Sequence, residues 1–314
     1  MIVTVTPNPS LDRTVEIDAL VRGDVLRARR ASVEAGGKGV NISRALAANA
    51  FPTLAVLPSG GFEGAQLTGL LATPGVEVVL VRIAGAVRAN ISIVEPDGTV
   101  TKINEPGPEL TNDELDALSH ATLRAATGAE WLAASGSLPP GAPPGFYARL
   151  IELLAPTSCR IAVDSSGEPL LRVLPLRPDV VKPNREELAE AVGGSIATLG
   201  DAVDAAGRLQ EKGPRAVLAS LGADGAILVD ASGALHGEAR VETPLSAVGA
   251  GDSLLAGFLA GGGSGRQALL EGLAWGAAAA SLPGSRVPGP SDLRRDAVSI
   301  HSHIDRQRRL KGVS

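Results

Sequence analysis

The chain has almost no cysteine, few aromatics, no excess of positive charge and no long apolar run, and each absence removes a class of function. Its single cysteine, Cys159, excludes an internal disulfide framework and a thiolate metal cluster. It also makes a reducing cytoplasm the expected compartment. Phe, Trp and Tyr are 2% of the residues, too few to form platforms for stacked bases. A net charge of −5 lacks the basic footprint that a nucleic-acid backbone requires. No segment approaches the ~20 apolar residues of a membrane span. The apolar start Met1–Val5 is too short for a secretory core and runs into Pro7, Pro9 and Asp12. Neither a G-x-x-x-x-G-K-[ST] loop nor a G-x-S-x-G elbow occurs. The four histidines are scattered, and the pair His301 and His303 reads as a weak metal hint or as part of a solvated terminal helix.

What is present is glycine (38 residues) and a 44% hydrophobic content over 314 residues, enough for a large core. Ile2–Thr6, Thr53–Leu57, Glu130–Ala134, Arg160–Asp164, Val180–Lys182 and Ala216–Ser220 read as buried strands. They alternate with helices at Val40–Ala50, Glu63–Leu71, Asn112–Ala126, Gly145–Leu154, Arg185–Val192, Leu199–Lys212 and Arg266–Leu282. That alternation predicts an α/β fold with a mostly parallel sheet covered on both faces. The stretches near 13–34 and 85–105 interrupt it with short strands (Thr14–Ile17, Val25–Val33, Ala89–Glu95, Thr99–Asn104) and the hairpin turn Pro96-Asp97-Gly98. They read as a small sheet standing off one domain that spans 1–314. The tail Asp305–Ser314 reads as frayed.

The densest chemistry lies in Thr243–Leu259, where Gly249-Ala250-Gly251 precede Asp252 and an apolar helix. Glycines let the backbone approach a ligand closely, and free N–H groups at a helix start favour phosphate oxygens. Asp252 there is either a base or a plain N-cap. Four further loops fall at strand ends, where ligands of open α/β sheets bind. Asp12 is a turn aspartate or a site residue. Gly36-Gly37-Lys38-Gly39-Val40-Asn41 is a tight turn, or a loop whose lysine and amide suit hydroxyls or phosphate. Asn184 and Glu187 form a capping box or hold a metal through water. Ser220-Leu221-Gly222-Ala223-Asp224-Gly225 is a further glycine turn.

Taken in order, GGKGVN, SGSLPPG, KPNREE, SLGADG and AVGAGDS resemble the ribokinase-like sugar kinases of the phosphofructokinase-B type, over roughly Ile2 to Leu293. The opening TVTPNPSLD, the lysine of GGKGVN and KINEPGP (Lys102–Pro108) are most similar to the 1-phosphofructokinase branch. Tagatose-6-phosphate kinase and the minor 6-phosphofructokinase share much of the pattern. The resemblance implies a three-layer α/β/α fold whose small β-sheet is a lid, and a sugar-phosphate kinase using ATP and Mg²⁺. It implies Asp252 as base, an anion hole from Gly249, Ala250 and Gly251, and sugar contacts from Asp12, Gly36, Gly37 and Asn41. Lys38, Arg88 and Arg27 are its candidate cations for the substrate phosphate, with Ser137 nearby; Arg88 read blandly is a solvated strand residue and Ser137 a turn serine. It places Asn184, Ser220, Gly222 and Gly225 on the nucleotide side, Glu187 toward Mg²⁺, and the adenine near Ala274–Ala278. The resemblance also implies lids that often pair, and the alternating apolar residues of Ala89–Val94 permit a homodimer here. The competing readings are a non-catalytic sugar-phosphate or nucleotide-binding regulator, which has no need of Asp252, and a kinase of a neutral nucleoside or vitamin, which has no need of Lys38 and Arg88.

Overall fold

The computed structural model describes residues 1–72 and 75–311. Its strands are β1 (Ile2–Val5), β2 (Ser10–Glu16), β3 (Arg30–Gly36), β4 (Thr53–Ser59), β5 (Val76–Arg82), β6 (Arg88–Val94), β7 (Val100–Asn104), β8 (Trp131–Ser135), β9 (Arg160–Asp164), β10 (Val180–Val181), β11 (Ala216–Ser220), β12 (Ala226–Asp230), β13 (Gly233–Ala239) and β14 (Val298–His301). Its helices are α1 (Lys38–Ala48), α2 (Gly61–Leu71), α3 (Asn112–Ala126), α4 (Phe146–Leu154), α5 (Gly167–Val173), α6 (Arg185–Val192), α7 (Leu199–Gln210), α8 (Ala250–Ala260) and α9 (Gly265–Ala280).

A 10-stranded sheet has the order β14-β13-β12-β11-β10-β9-β8-β1-β4-β5. Every neighbouring pair from β5 across to β11 is parallel, and β12 to β14 are added antiparallel. Successive side chains on a strand point to opposite faces, and the core divides accordingly. On β8, Leu132 and Ala134 join one apolar layer with α3, α4, α6 and α7. Trp131 and Ala133 join the other, with α1, α8 and α9. This is the expected three-layer arrangement. Local signals start the helices as well: the side chains of Thr111, Asn184 and Thr198 each close a reciprocal capping box with Glu114, Glu187 and Asp201.

The small sheet has the order β3-β2-β6-β7. Its strands start and stop a few residues from the expected insertions. Val25 is exposed coil, and the second strand begins only at Arg30. β2 begins at Ser10, so Asp12 lies on a strand rather than ending a loop. The base of this sheet, Leu11, Ala35 and Val87, is continuous with an apolar cluster on α2 and β4.

Two C-terminal expectations are corrected. His301 belongs to β14, not to a solvated helix, and its ring stacks on His236 at 6.1 Å. The tail is docked rather than frayed up to Lys311. Leu310 is buried, and backbone bonds join Leu310 to Ala197 and Leu199 to Arg308. Its last three residues, 312–314, lie outside the described residues. The short helix α5 has no counterpart in the sequence reading; seven residues are too few for helical periodicity to register.

Leu132 is fully buried at the middle of the parallel strands. Leu132→Ala removes its packing and leaves a cavity, so a loss of about 3 kcal/mol is expected in denaturant unfolding. A loss below about 1 kcal/mol would contradict this packing.

Candidate active site

The parallel strands β1, β8, β9, β10 and β11 all end at one edge of the sheet, and the loops that follow them meet there the N-termini of α1 and α8. Asp252 lies in the first turn of α8. The N-cap of that helix is Gly249, in the left-handed region at φ 74°, and no side chain caps it. The capping explanation for Asp252 therefore fails. Its Oδ2 instead accepts a 2.8 Å hydrogen bond from Nδ2 of buried Asn41 on α1. Burial, reinforced by the negative charge of Asp164, pushes the Asp252 carboxyl up to about 6.

Asp164 terminates β9 and is fully buried. The Lys38 Nζ donates to its Oδ1 at 2.6 Å, and the Lys182 Nζ lies 3.0 Å from its Oδ2. Burial opposes ionisation, yet Lys182 and Lys38 together hold this carboxyl below the usual range. Lys38 also lies 3.6 Å from Glu187 Oε1. Burial again opposes its charge, but Asp164 and Glu187 prevail and keep it firmly cationic. Two neighbouring carboxyls are thus driven apart: Asp164 anchors lysines, while Asp252 can exchange a proton near neutrality.

A second group sits on the small sheet. The Ser10 Oγ donates to Asp12 Oδ1 at 2.7 Å, and Asn90 Nδ2 donates to the same oxygen at 3.0 Å. The crowding here explains one glycine, since a Cβ on Gly36 would lie 2.3 Å from the Asp12 carboxyl carbon. Arg88 reaches two carbonyls, of Glu105 at 2.9 Å and Asn8 at 3.1 Å. Burial lowers its readiness to hold charge, and Asp12 and Glu105 partly restore it. Asn8 Nδ2 in turn donates to the Pro106 carbonyl at 3.0 Å and the Ser137 Oγ at 3.4 Å. Asn8, Arg88, Pro106, Ser137 and Pro140 line a cavity of about 500 Å³. Asn8 Oδ1, Asn41 Oδ1, Asn90 Oδ1 and Arg88 Nε are buried, with no protein hydrogen-bond partner among the described residues. Such orphaned groups in one region call for a polar ligand. A larger cavity of about 790 Å³ lies by the β4–β5 edge of the main sheet, between Gly60, Leu80 and Arg82, but holds none of these groups.

On the third side, Asn184 and Ser220 are paired in a short parallel bridge. Asn184 and Glu187 do form the capping box, with Glu187 Oε2 taken by the Asn184 N–H at 2.9 Å, while Glu187 Oε1 faces Lys38. Gly222 and Gly225 turn the next loop at φ 60° and 85°, and a Cβ on Gly225 would lie 1.9 Å from the Gly237 carbonyl oxygen. Gly225 is therefore required by packing; Gly222 faces open space. Among the described residues no three His, Cys, Asp or Glu side chains gather as a metal-ligand set.

Asp252, Gly249–Gly251, Asn41, Lys38, Glu187 and Asn184 are thus brought to one edge, with Asp12, Gly36, Gly37, Arg88 and Ser137 facing it from the small sheet and its neighbouring loops. Arg27 is not among them: it is exposed, and no hydrogen bond or ion pair joins it to the cluster among the described residues. Ala274 and Ala278 are core residues behind α8, which leaves Ala277 as the partly exposed member of that stretch. Sequence reasoning missed Asp164, Lys182, Asn8 and Asn90. For Asp164 and Lys182 the available signal was a charged residue directly after an apolar strand, at the edge where ligands bind.

Residues 6–291 match the family described as pfkB family carbohydrate kinase. The chain belongs to that family. It is therefore a phosphotransferase acting on carbohydrates. It is 37% identical to a 1-phosphofructokinase of Haloferax volcanii, over 97% of this chain and 98% of the relative. It is 34% identical to one of Vibrio cholerae, over 82% and 81%. Among solved structures it resembles phosphofructokinase-2 of Escherichia coli in complex with substrates and products, with a TM-score of 0.87 and 33% identity over 93% of this chain and 96% of that one. No described helix of the kinase is long and apolar enough to cross a membrane.

A raised Asp252 pKa has a consequence for stability. The folded state binds this proton more tightly than the unfolded chain, so the group favours folding when protonated, below about pH 4. That contribution is lost as pH rises through about 6. A rise from 3.8 to about 6 corresponds to roughly 3 kcal/mol at pH 8. Asp252→Asn keeps an acceptor for Asn41 and removes the charge. It is expected to raise Tm by several degrees at pH 8, the gain shrinking toward zero at pH 4. An unchanged or lowered Tm at pH 8 would refute the assignment of a destabilised carboxylate.

Proposed function

We propose that the kinase transfers the γ-phosphoryl group of ATP to the primary hydroxyl of fructose 1-phosphate, giving fructose 1,6-bisphosphate and ADP. The observation that carries this reading is Asp252: a buried carboxylate with a pKa of about 6, in the first turn of a helix whose glycine-rich start faces the same edge. The Asp252 carboxylate takes the hydroxyl proton as the hydroxyl oxygen attacks the γ-phosphorus, and the bond from that phosphorus to the oxygen bridging it to the β-phosphate breaks. Backbone N–H groups of Gly249, Ala250 and Gly251 receive the charge on the phosphoryl oxygens. Phosphoryl transfer needs little else than positioning and charge stabilisation.

Asn41 orients the base. Asp12, Gly36, Gly37 and Asn90 are disposed to take sugar hydroxyls, and Arg88 with Ser137 the substrate phosphate. Lys38, bound to Asp164 and Glu187, belongs to the charge network beside Asp252, so it acts on the transferred phosphoryl as well as on the substrate. Asn184, Ser220 and Gly222 take the nucleotide side, with Gly225 shaping their loop. Glu187 is the carboxylate that would hold a Mg²⁺ through water. An ion held chiefly by phosphates and waters needs few protein ligands. When bound, that ion supplies neutralising charge to the ATP phosphates. The choice of fructose 1-phosphate rests on the relatives named 1-phosphofructokinase at 34% and 37% identity and on Lys38.

In the small sheet one face is polar: Glu34, Asp12, Asn90 and Asn104 lie in register across it. The next row, Val33, Arg13, Ile91 and Ile103, is mostly apolar, with Ile103 52% exposed. We infer that the polar face closes over the sugar as a lid, excluding water that would hydrolyse ATP. A second copy of the kinase covers the apolar face.

Turnover of ATP with Mg²⁺ is expected to favour fructose 1-phosphate over fructose 6-phosphate and tagatose 6-phosphate in kcat/KM. Preference for either 6-phosphate would keep the mechanism and move the substrate. The profile of kcat/KM should rise through about pH 6 and level off, and Asp252→Asn should cost at least ~10²–10³ in kcat. A loss under tenfold would remove Asp252 as base. Light scattering should give twice the chain mass, falling to the monomer in Ile103→Glu; an unaltered mass in both would place the subunit contact elsewhere or nowhere.

A further inference from the structure

The docked tail makes contacts that the proposed chemistry does not use. Buried Asp224 belongs to the Ser220–Gly225 loop. Its Oδ2 accepts the backbone N–H of Lys311 at 2.6 Å, and its Oδ1 accepts Arg308 Nη2 at 3.2 Å. The carbonyl of the same Lys311 accepts Arg185 Nη1 at 3.0 Å. Arg185 directly follows Asn184 at the start of α6. One backbone residue of the tail therefore joins two loops that come from separate strands. These loops already touch at their roots, where the Ser220 N–H donates to the Pro183 carbonyl at 3.0 Å. Lys311 closes their outer ends.

The tail itself is held independently. Leu310 is buried, Arg308 donates to Glu238 at 2.9 Å, and the Gly200 N–H donates to the Arg306 carbonyl at 3.0 Å. Arg306 reaches Asp204 on α7 at 2.7 Å, away from both loops. The loop is fixed from behind too, where the His236 Nε2 lies 2.8 Å from the Asp224 carbonyl. A buried carboxylate that accepts a backbone N–H and a guanidinium is a costly arrangement unless both partners stay.

We propose that the C-terminal tail is a positioning clip for the nucleotide: the Lys311 peptide, through Asp224 and Arg185, sets the distance between the Ser220–Gly225 loop and the Asn184–Glu187 turn. This rests on the reading of those two loops as the nucleotide side. Loops held at one end only would sample more conformations, and binding would then bear the cost of ordering them. The clip removes that cost in advance. It touches neither the sugar face nor Asp252, so it acts on one substrate and not the other.

Lys311→Pro deletes the N–H that Asp224 accepts while leaving every side chain of the clip in place. Arg185→Ala removes the other half from the surface, and Arg306→Ala serves as control, loosening the tail without touching either loop. The measurements are KM for ATP, KM for the sugar phosphate, and hydrogen exchange of the nucleotide-free protein over residues 184–188 and 220–225. Lys311→Pro and Arg185→Ala are expected to raise KM for ATP by about five- to tenfold, as the loss of one good hydrogen bond does. KM for the sugar phosphate should stay within twofold, exchange should quicken in both segments, and Arg306→Ala should change none of these. Equal increases in both KM values, an effect of Arg306→Ala as large as that of Lys311→Pro, or unaltered exchange in the two loops would overturn the proposal. Absence of turnover in the unaltered protein would instead overturn the functional reading, and the exchange comparison would still decide the clip.

Discussion

The buried carboxylate Asp164 is the constraint on which the site depends. A charge without solvent is tolerated only when it is paired, and here two lysines from different parts of the chain pair with it. Lys38 comes from the start of α1 and Lys182 from the end of β10, so the pairing draws the GGKGVN and KPNREE segments to the end of β9. The same negative charge then raises the proton affinity of Asp252, which among the described residues has no cation at bonding distance and rests on an amide instead. One ion cluster thus joins the loops in space and drives two chemically identical carboxyls apart, one held ionised and one with a raised proton affinity.

The glycines around this cluster have distinct reasons. Gly36 leaves room for the Asp12 carboxyl, and Gly39 for Thr6, where a Cβ would meet Oγ1 at 2.4 Å. Gly225 clears the backbone of β13. Gly249 has open space around it and is there for its left-handed φ, which turns the chain into α8. The first two are packing requirements beside β1 and β2, and the last is a requirement of the start of α8.

The small sheet works by register. Its polar row and its apolar row lie on opposite faces, because successive residues of a strand alternate. Its base is continuous with the core through Leu11, Ala35 and Val87, which anchors the sheet.

Much of this was legible in the residues alone. The alternation of apolar strands and helices determined a mostly parallel sheet, because only helical crossovers join parallel neighbours. The order of five glycine-rich segments marked the loops, and Asp252 stood out as the lone acid after one of them. Local signals such as the Asn184–Glu187 capping box also followed from spacing three residues apart. What only the tertiary structure decided were pairings between residues far apart in sequence: Lys38 with Asp164, Asn41 with Asp252, Asn90 with Asp12, Lys311 with Asp224. Strand periodicity says that a residue points to one face or the other, but not which distant side chain it meets there. The docked tail was misread for the same reason. Its polar sequence carries no periodic signal, and its order comes from distant partners: α6, α7 and the segment before it, Glu238 on β13, and the Ser220–Gly225 loop.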